Sequence, residues 1–127
     1  MSDPKAIVLE FISDSFDALE NLNTSLVELE KDPGNEELIN SVFRDFHNMK
    51  GGASYLKLEN LTKILHLSEE VLDGVRDEDI ELSADLTDLL LKAVDTTESL
   101  LKYLKENGEE SDEFPQELFD QLNKYVA

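Results

Sequence analysis

The 127-residue sequence contains no cysteine, which excludes a disulfide framework, a thiolate metal site and a thiol nucleophile. It is also short of positive charge: 11 Lys and Arg stand against 30 Asp and Glu, a formal net charge of -19. A surface of that sign repels phosphates, so nucleic acid and anionic membranes are poor partners and basic surfaces of other proteins are favoured. No apolar run approaches the roughly 18 residues that a membrane-spanning helix needs. The opening MSDPKAIVLEF has no basic stretch ahead of a long apolar one and does not read as a signal peptide, so a cytoplasmic protein is expected. There is no Gly-rich phosphate loop and no Walker-type lysine. The isolated chain is therefore not expected to be an enzyme with its own ATP site.

What remains is enough for one folded domain, taken as residues 1–127. Hydrophobic residues are 40% of the chain, and their spacing is periodic enough to pack rather than leave the chain disordered. Leu9, Ile12, Phe16, Leu19, Leu22, Leu26 and Leu29 recur every three or four residues, one stripe along a helix over about 4–31 that starts at Asp3-Pro4 and stops at Asp32-Pro33-Gly34. Asn35 caps a second helix, about 36–55, with Ile39, Val42, Phe43, Phe46, Met49 and Ala53 inward. A third, about 59–76, turns Leu61, Ile64, Leu65, Val71, Leu72 and Val75 inward. Ser83 caps a fourth, about 84–106, striped by Leu86, Leu89, Leu90, Ala93, Thr97, Leu100, Leu101 and Leu104 and ended by Asn107-Gly108. Glu109 to Glu113 read as an acidic, mobile linker, followed by a short helix, about 115–126, with Leu118, Phe119, Leu122 and Val126 inward. Connections this short make successive helices antiparallel neighbours. The expected fold is all-α: an up-and-down antiparallel four-helix bundle with a short fifth C-terminal helix.

The informative stretch is Phe43-Arg44-Asp45-Phe46-His47-Asn48-Met49-Lys50-Gly51-Gly52-Ala53. At 100° per residue, His47 falls about 125° from the apolar stripe and points to solvent. Arg44 lies one turn before it, and Gly51 then Ser54 one and two turns after. Two adjacent glycines inside a helix cost on the order of 1 kcal/mol each against alanine. They either leave room for another protein's surface beside the imidazole or permit close helix packing. Lys50, three residues on, can stand beside an anion attached to the ring, or simply lie along the bundle edge. In the third helix, Glu69 falls roughly 100° from the stripe, at the flank facing the neighbouring helix. A carboxylate there can hold one imidazole nitrogen and leave the other nucleophilic. By the same geometry His66 and Glu70 lie on the solvated face.

His47-Asn48-Met49-Lys50-Gly51-Gly52-Ala53 resembles the H-x-x-K-G-x-x segment of histidine-containing phosphotransfer domains. The run Leu61 to Arg76, with His66-Leu67-Ser68-Glu69 inside it, resembles the third helix of the phosphotransfer domain that opens chemotaxis histidine kinases. The resemblance extends from the first helix to the fifth. It implies a phosphocarrier in a two-component signalling system, supplied by the ATP-binding domain of a histidine kinase and discharged by a response-regulator receiver domain, with no cofactor of its own. It implies roles too: His47 as phosphoacceptor, Glu69 orienting the imidazole, Lys50 and His66 completing the hydrogen-bond network, and Gly51, with Arg44 and Ser54, at the receiver's docking face. The chain departs from its relatives at Lys57 and at Asp77, where glycine is common. Arg44, Lys50, Lys57 and Lys63 are expected to make the field near the histidine less negative than the total.

Two rival readings come from other classes. One is a phosphorylation-independent helical adaptor. The other is a metal-binding bundle built on His66 and Glu69, against which the single, reversed pair and the absence of further inward ligands count.

Overall fold

The computed structural model describes residues 3–126. Five helices follow one another: α1 (Pro4–Lys31), α2 (Glu36–Tyr55), α3 (Glu59–Arg76), α4 (Ala84–Asn107) and α5 (Gln116–Asn123), with no strand among the described residues. Each start has a local cause. The Asp3 carboxylate accepts from Lys5 N–H, the Asn35 side chain from Leu38 N–H, and the Ser83 hydroxyl from Leu86 N–H, each satisfying a donor the helix itself leaves free. Gly108, at φ 76°, ends α4 in the left-handed region that glycine adopts without a steric penalty.

The four long helices form an up-and-down bundle. α1 packs on α2 and α4, α3 packs on α2 and α4, and α5 lies against α3 and α4. The core is mostly aliphatic, packed around one phenyl ring: Leu22, Leu26, Val42, Phe46, Ile64, Leu65, Val71, Leu72, Leu86, Leu90 and Leu101 are fully enclosed. Each of the larger side chains contributes about 2 kcal/mol by leaving water. Most of the stripe positions face this core. The exceptions are at its edges: Leu9 is exposed, and Phe16, Phe43, Leu89, Leu100, Phe119 and Val126 are half-buried.

Two features differ from the sequence reading, and a third bears on the connections noted there. α5 ends at Asn123 rather than near 126, because Tyr125 and Val126 donate to Leu122 and Asn123 and tighten the chain into turns. The segment 109–113 is tied down: Glu110 accepts from the backbone N–H of Asn60 and of Leu61, at 3.2 and 2.9 Å, and Asn60 Nδ2 donates to Ser111 O. Since Leu58, at the head of α3, offers no side-chain cap, a carboxylate from beyond α4 caps that helix instead. Finally, Lys57 keeps the left-handed geometry that glycine would suit, φ 61°, at the end of α2. At the end of α3 the left-handed residue is Glu78, φ 64°, and not Asp77.

Candidate functional site

α2 and α3 are antiparallel neighbours, and their register brings His47 opposite Glu69. The imidazole Nδ1 lies 3.0 Å from Glu69 Oε1. The His47 side chain is 55% exposed and that of Glu69 only 14%, so the acid sits in the seam and the ring stands out from it. Burial works to raise the Glu69 carboxyl, but hydrogen bonds and positive charge from Lys50 and His47 outweigh it and hold the group below the usual glutamate range. Glu69 is therefore ionised near neutral pH and can only accept. In the neutral imidazole, the form that can act as a nucleophile, Nδ1 is then the donor of the 3.0 Å bond and the lone pair lies on Nε2.

Lys50, one turn after His47, completes the triad: Nζ is 2.8 Å from Glu69 Oε2. The ammonium and this carboxylate oxygen form a charge-assisted pair in the seam between the two helices. His66 stays outside. Its Nε2 is 2.9 Å from Glu70 Oε1, one turn along the same helix, and the two side chains are 56% and 50% exposed. Its expected place in the His47 network is corrected accordingly: helical periodicity turns it to solvent, where Glu70 is its nearest acid.

Arg44, His47, Gly51 and Ser54 are all exposed on α2, a strip along one side of the helix. The two glycines separate the two readings of the pair. A Cβ on Gly51 would meet nothing within 4 Å, whereas one on Gly52 would stand 2.7 Å from Cδ1 and Cε1 of Phe11. Gly52 lets α1 approach α2; Gly51 has no partner inside the molecule. Of the expected cations, Lys63 lies elsewhere, with Nζ 5.6 Å from the Phe114 ring centre, and Lys57 sits in the connection after α2. The sequence reading gave no site role to Phe43, which stands beside His47, or to Arg76, which stands on Phe43. Phe43 lies near-parallel to the imidazole with ring centres 6.0 Å apart, and the Arg76 guanidinium covers Phe43 at 4.1 Å. Among the described residues no group of three or more His, Asp or Glu side chains converges as a metal site, and no helix is long and apolar enough to cross a membrane.

A surface imidazole fixed at one nitrogen and open at the other is a nucleophile displayed on a rigid helical scaffold. The chain belongs to the Hpt domain family, whose family model matches residues 6–124. It is 34% identical over 111 residues to the sensor histidine kinase CheAY of Helicobacter pylori, a match covering 87% of this chain and 14% of that protein. It is 34% identical over 99 residues to the chemotaxis protein CheA of Bacillus subtilis, covering 78% and 15%. The chain thus spans a small part of these curated relatives. Among solved structures it is similar to the phosphorylated P1 domain of CheA3 in complex with CheY6 from R. sphaeroides, with a TM-score of 0.88, 25% identity and 96% of each chain covered. It also resembles the CheA phosphotransferase domain from Thermotoga maritima, with a TM-score of 0.77, 32% identity and 81% and 98% covered.

Proposed function

We propose that this chain acts as a single phosphotransfer domain in a chemotaxis-type signalling system in the cytoplasm, carrying a phosphoryl group on Nε2 of His47. The observation that carries this reading is the division of labour on one ring: Nδ1 bound to an ionised, half-enclosed Glu69, and Nε2 free at the surface. The Nε2 lone pair attacks the γ-phosphorus of ATP held by a histidine kinase domain, the bond to the bridging oxygen breaks, and ADP leaves. The proton stays on Nδ1 throughout, and the positive charge that develops on the ring faces the Glu69 carboxylate. In the second step a receiver-domain aspartate attacks the phosphorus, the N–P bond breaks, and its electron pair returns to Nε2. Lys50 supplies an ammonium close to the ring, able to turn from Glu69 toward the phosphoryl oxygens.

The partners supply ATP, the acceptor carboxylate and the metal ion that phosphoryl transfer uses, so the isolated chain is a carrier rather than an enzyme. The strip from Arg44 to Ser54 is the docking face, and open space beside Gly51 lets a partner backbone come close to the ring.

The test is phosphorylation by a chemotaxis-type kinase core with labelled ATP, comparing the chain with His47→Gln. Acid-labile, base-stable label on the former and none on the latter supports the assignment. Equal labelling of the variant, or no labelling of the unmodified chain by several kinase cores, refutes it.

A further inference from the structure

The bond from Nδ1 to Glu69 fixes one atom of the His47 ring. It leaves the ring free to rotate about that bond, and a side chain this exposed has little else around it. Phe43, one turn earlier on α2, provides the second constraint. Its ring plane lies 13° from that of the imidazole, with centres 6.0 Å apart. Phe43 is itself half-buried and needs a support of its own. That support is Arg76, whose Cζ lies 4.1 Å from the Phe43 ring centre.

Arg76 belongs to the last turn of α3, two turns beyond Glu69. One helix therefore holds His47 twice, directly through Glu69 and indirectly through Arg76 and Phe43. Asp73, one turn back on α3, lies 3.5 Å from Arg76 Nη2, so it steadies the guanidinium and offsets its charge. What Arg76 offers Phe43 is then a flat face more than a net field, and arginine stacks on an aromatic ring where lysine presents only a point charge.

We infer that Arg76 and Phe43 form a positioning pair for His47: Arg76 pins the Phe43 ring, and that ring sets the imidazole plane so that Nε2 is presented in one direction. The inference rests on His47 being the phosphoacceptor. Neither residue touches the transferred group. Without them the bond to Glu69 persists in only part of the population, and the competent fraction, and with it the transfer rate, falls.

Nitrogen-detected NMR of the unphosphorylated chain reads the imidazole tautomer directly, and His66, paired with Glu70, serves as an internal reference. The unmodified chain should show His47 with its proton on Nδ1 alone. Phe43→Leu should give a mixture of tautomers and transfer slower by about 5- to 10-fold, the loss that misorientation of a reacting group brings. Arg76→Lys should shift both readouts in the same direction, and Arg76→Gln, which keeps a flat polar end, should shift them less. Unchanged tautomer and rate in Phe43→Leu would overturn the inference, as would full function in Arg76→Lys with loss in Arg76→Gln, which would make Arg76 a charge and not a support. Should Phe43→Leu fail to fold by circular dichroism, the exposed Arg76 variants decide. If the unmodified chain takes no phosphoryl group, the proposed function fails, while the nitrogen spectra still decide whether the pair positions the ring.

Discussion

Gly51 and Gly52 are neighbours in one helix, yet alanine at each should act in opposite directions. At Gly51 a new Cβ meets nothing within 4 Å, so only the backbone term remains. Alanine there lowers the entropy of the unfolded chain and should stabilise the fold by about 1 kcal/mol. At Gly52 the same gain is opposed by contact at 2.7 Å with two carbons of the Phe11 ring. The ring is half-buried and packed on the core, so either it turns or α1 moves away, at a cost of about 1–3 kcal/mol. The net expectation is a loss of about 1 kcal/mol, and a gap between the variants of about 2 kcal/mol. For a domain of this length that gap is on the order of 8 °C in melting temperature. Urea denaturation of both variants, with thermal scans at equal protein concentration, measures it. Equal stabilisation by both substitutions would refute the packing argument for Gly52, and a loss at Gly51 would refute the claim of open space. The stabilised Gly51→Ala variant also tests docking: transfer to a receiver should slow several-fold while the His47–Glu69 bond stays intact by NMR.

Burial raises the Asp45 carboxyl above its ordinary value, with the charge of Arg44 opposing, and one of its oxygens is enclosed without a partner. A folded form that binds its proton more tightly than the unfolded chain loses stability as pH rises through the carboxylate range. Asp45→Asn should therefore stabilise the protein at neutral pH, by a few tenths of a kcal/mol because the group is still partly in water, and the gain should vanish in acid. Chemical denaturation at pH 7 and pH 3.5 checks the sign. Lys57→Gly relieves a left-handed residue and should stabilise by about 0.5–1 kcal/mol after glycine's own entropy cost is subtracted, measured the same way. Glu110→Ala removes the acceptor for two α3 backbone donors and should cost about 1 kcal/mol, with faster amide exchange at Asn60 and Leu61.

The bundle was legible because its boundaries carry chemistry within a few residues: Asp3, Asn35 and Ser83 mark three starts and Gly108 one end. Glu69 was found because its angular position alone puts it at the flank of α3. For His66, periodicity pointed outward while the family resemblance drew it toward His47, and the structure follows periodicity. Phe43 read as core because a stripe records spacing along one helix. Its partner Arg76 lies on another, and no spacing rule within α2 contains that register. Glu110 left no trace either, since the donors it satisfies lie 49 and 50 residues away.

The Glu110 clasp also bears on the order in which the molecule assembles. A chain emerging from the ribosome exposes α1, α2 and α3 before residue 110 exists, so α3 must wait with its first donors facing water. Local helix pairing is fast, but closing a contact across so long a loop is slow. The last step should then be the docking of the segment after α4. Refolding followed at the Asn60 and Leu61 amides should lag behind that of the rest of α3, so the head of the helix is secured after its body has paired with α2 and brought Glu69 to His47.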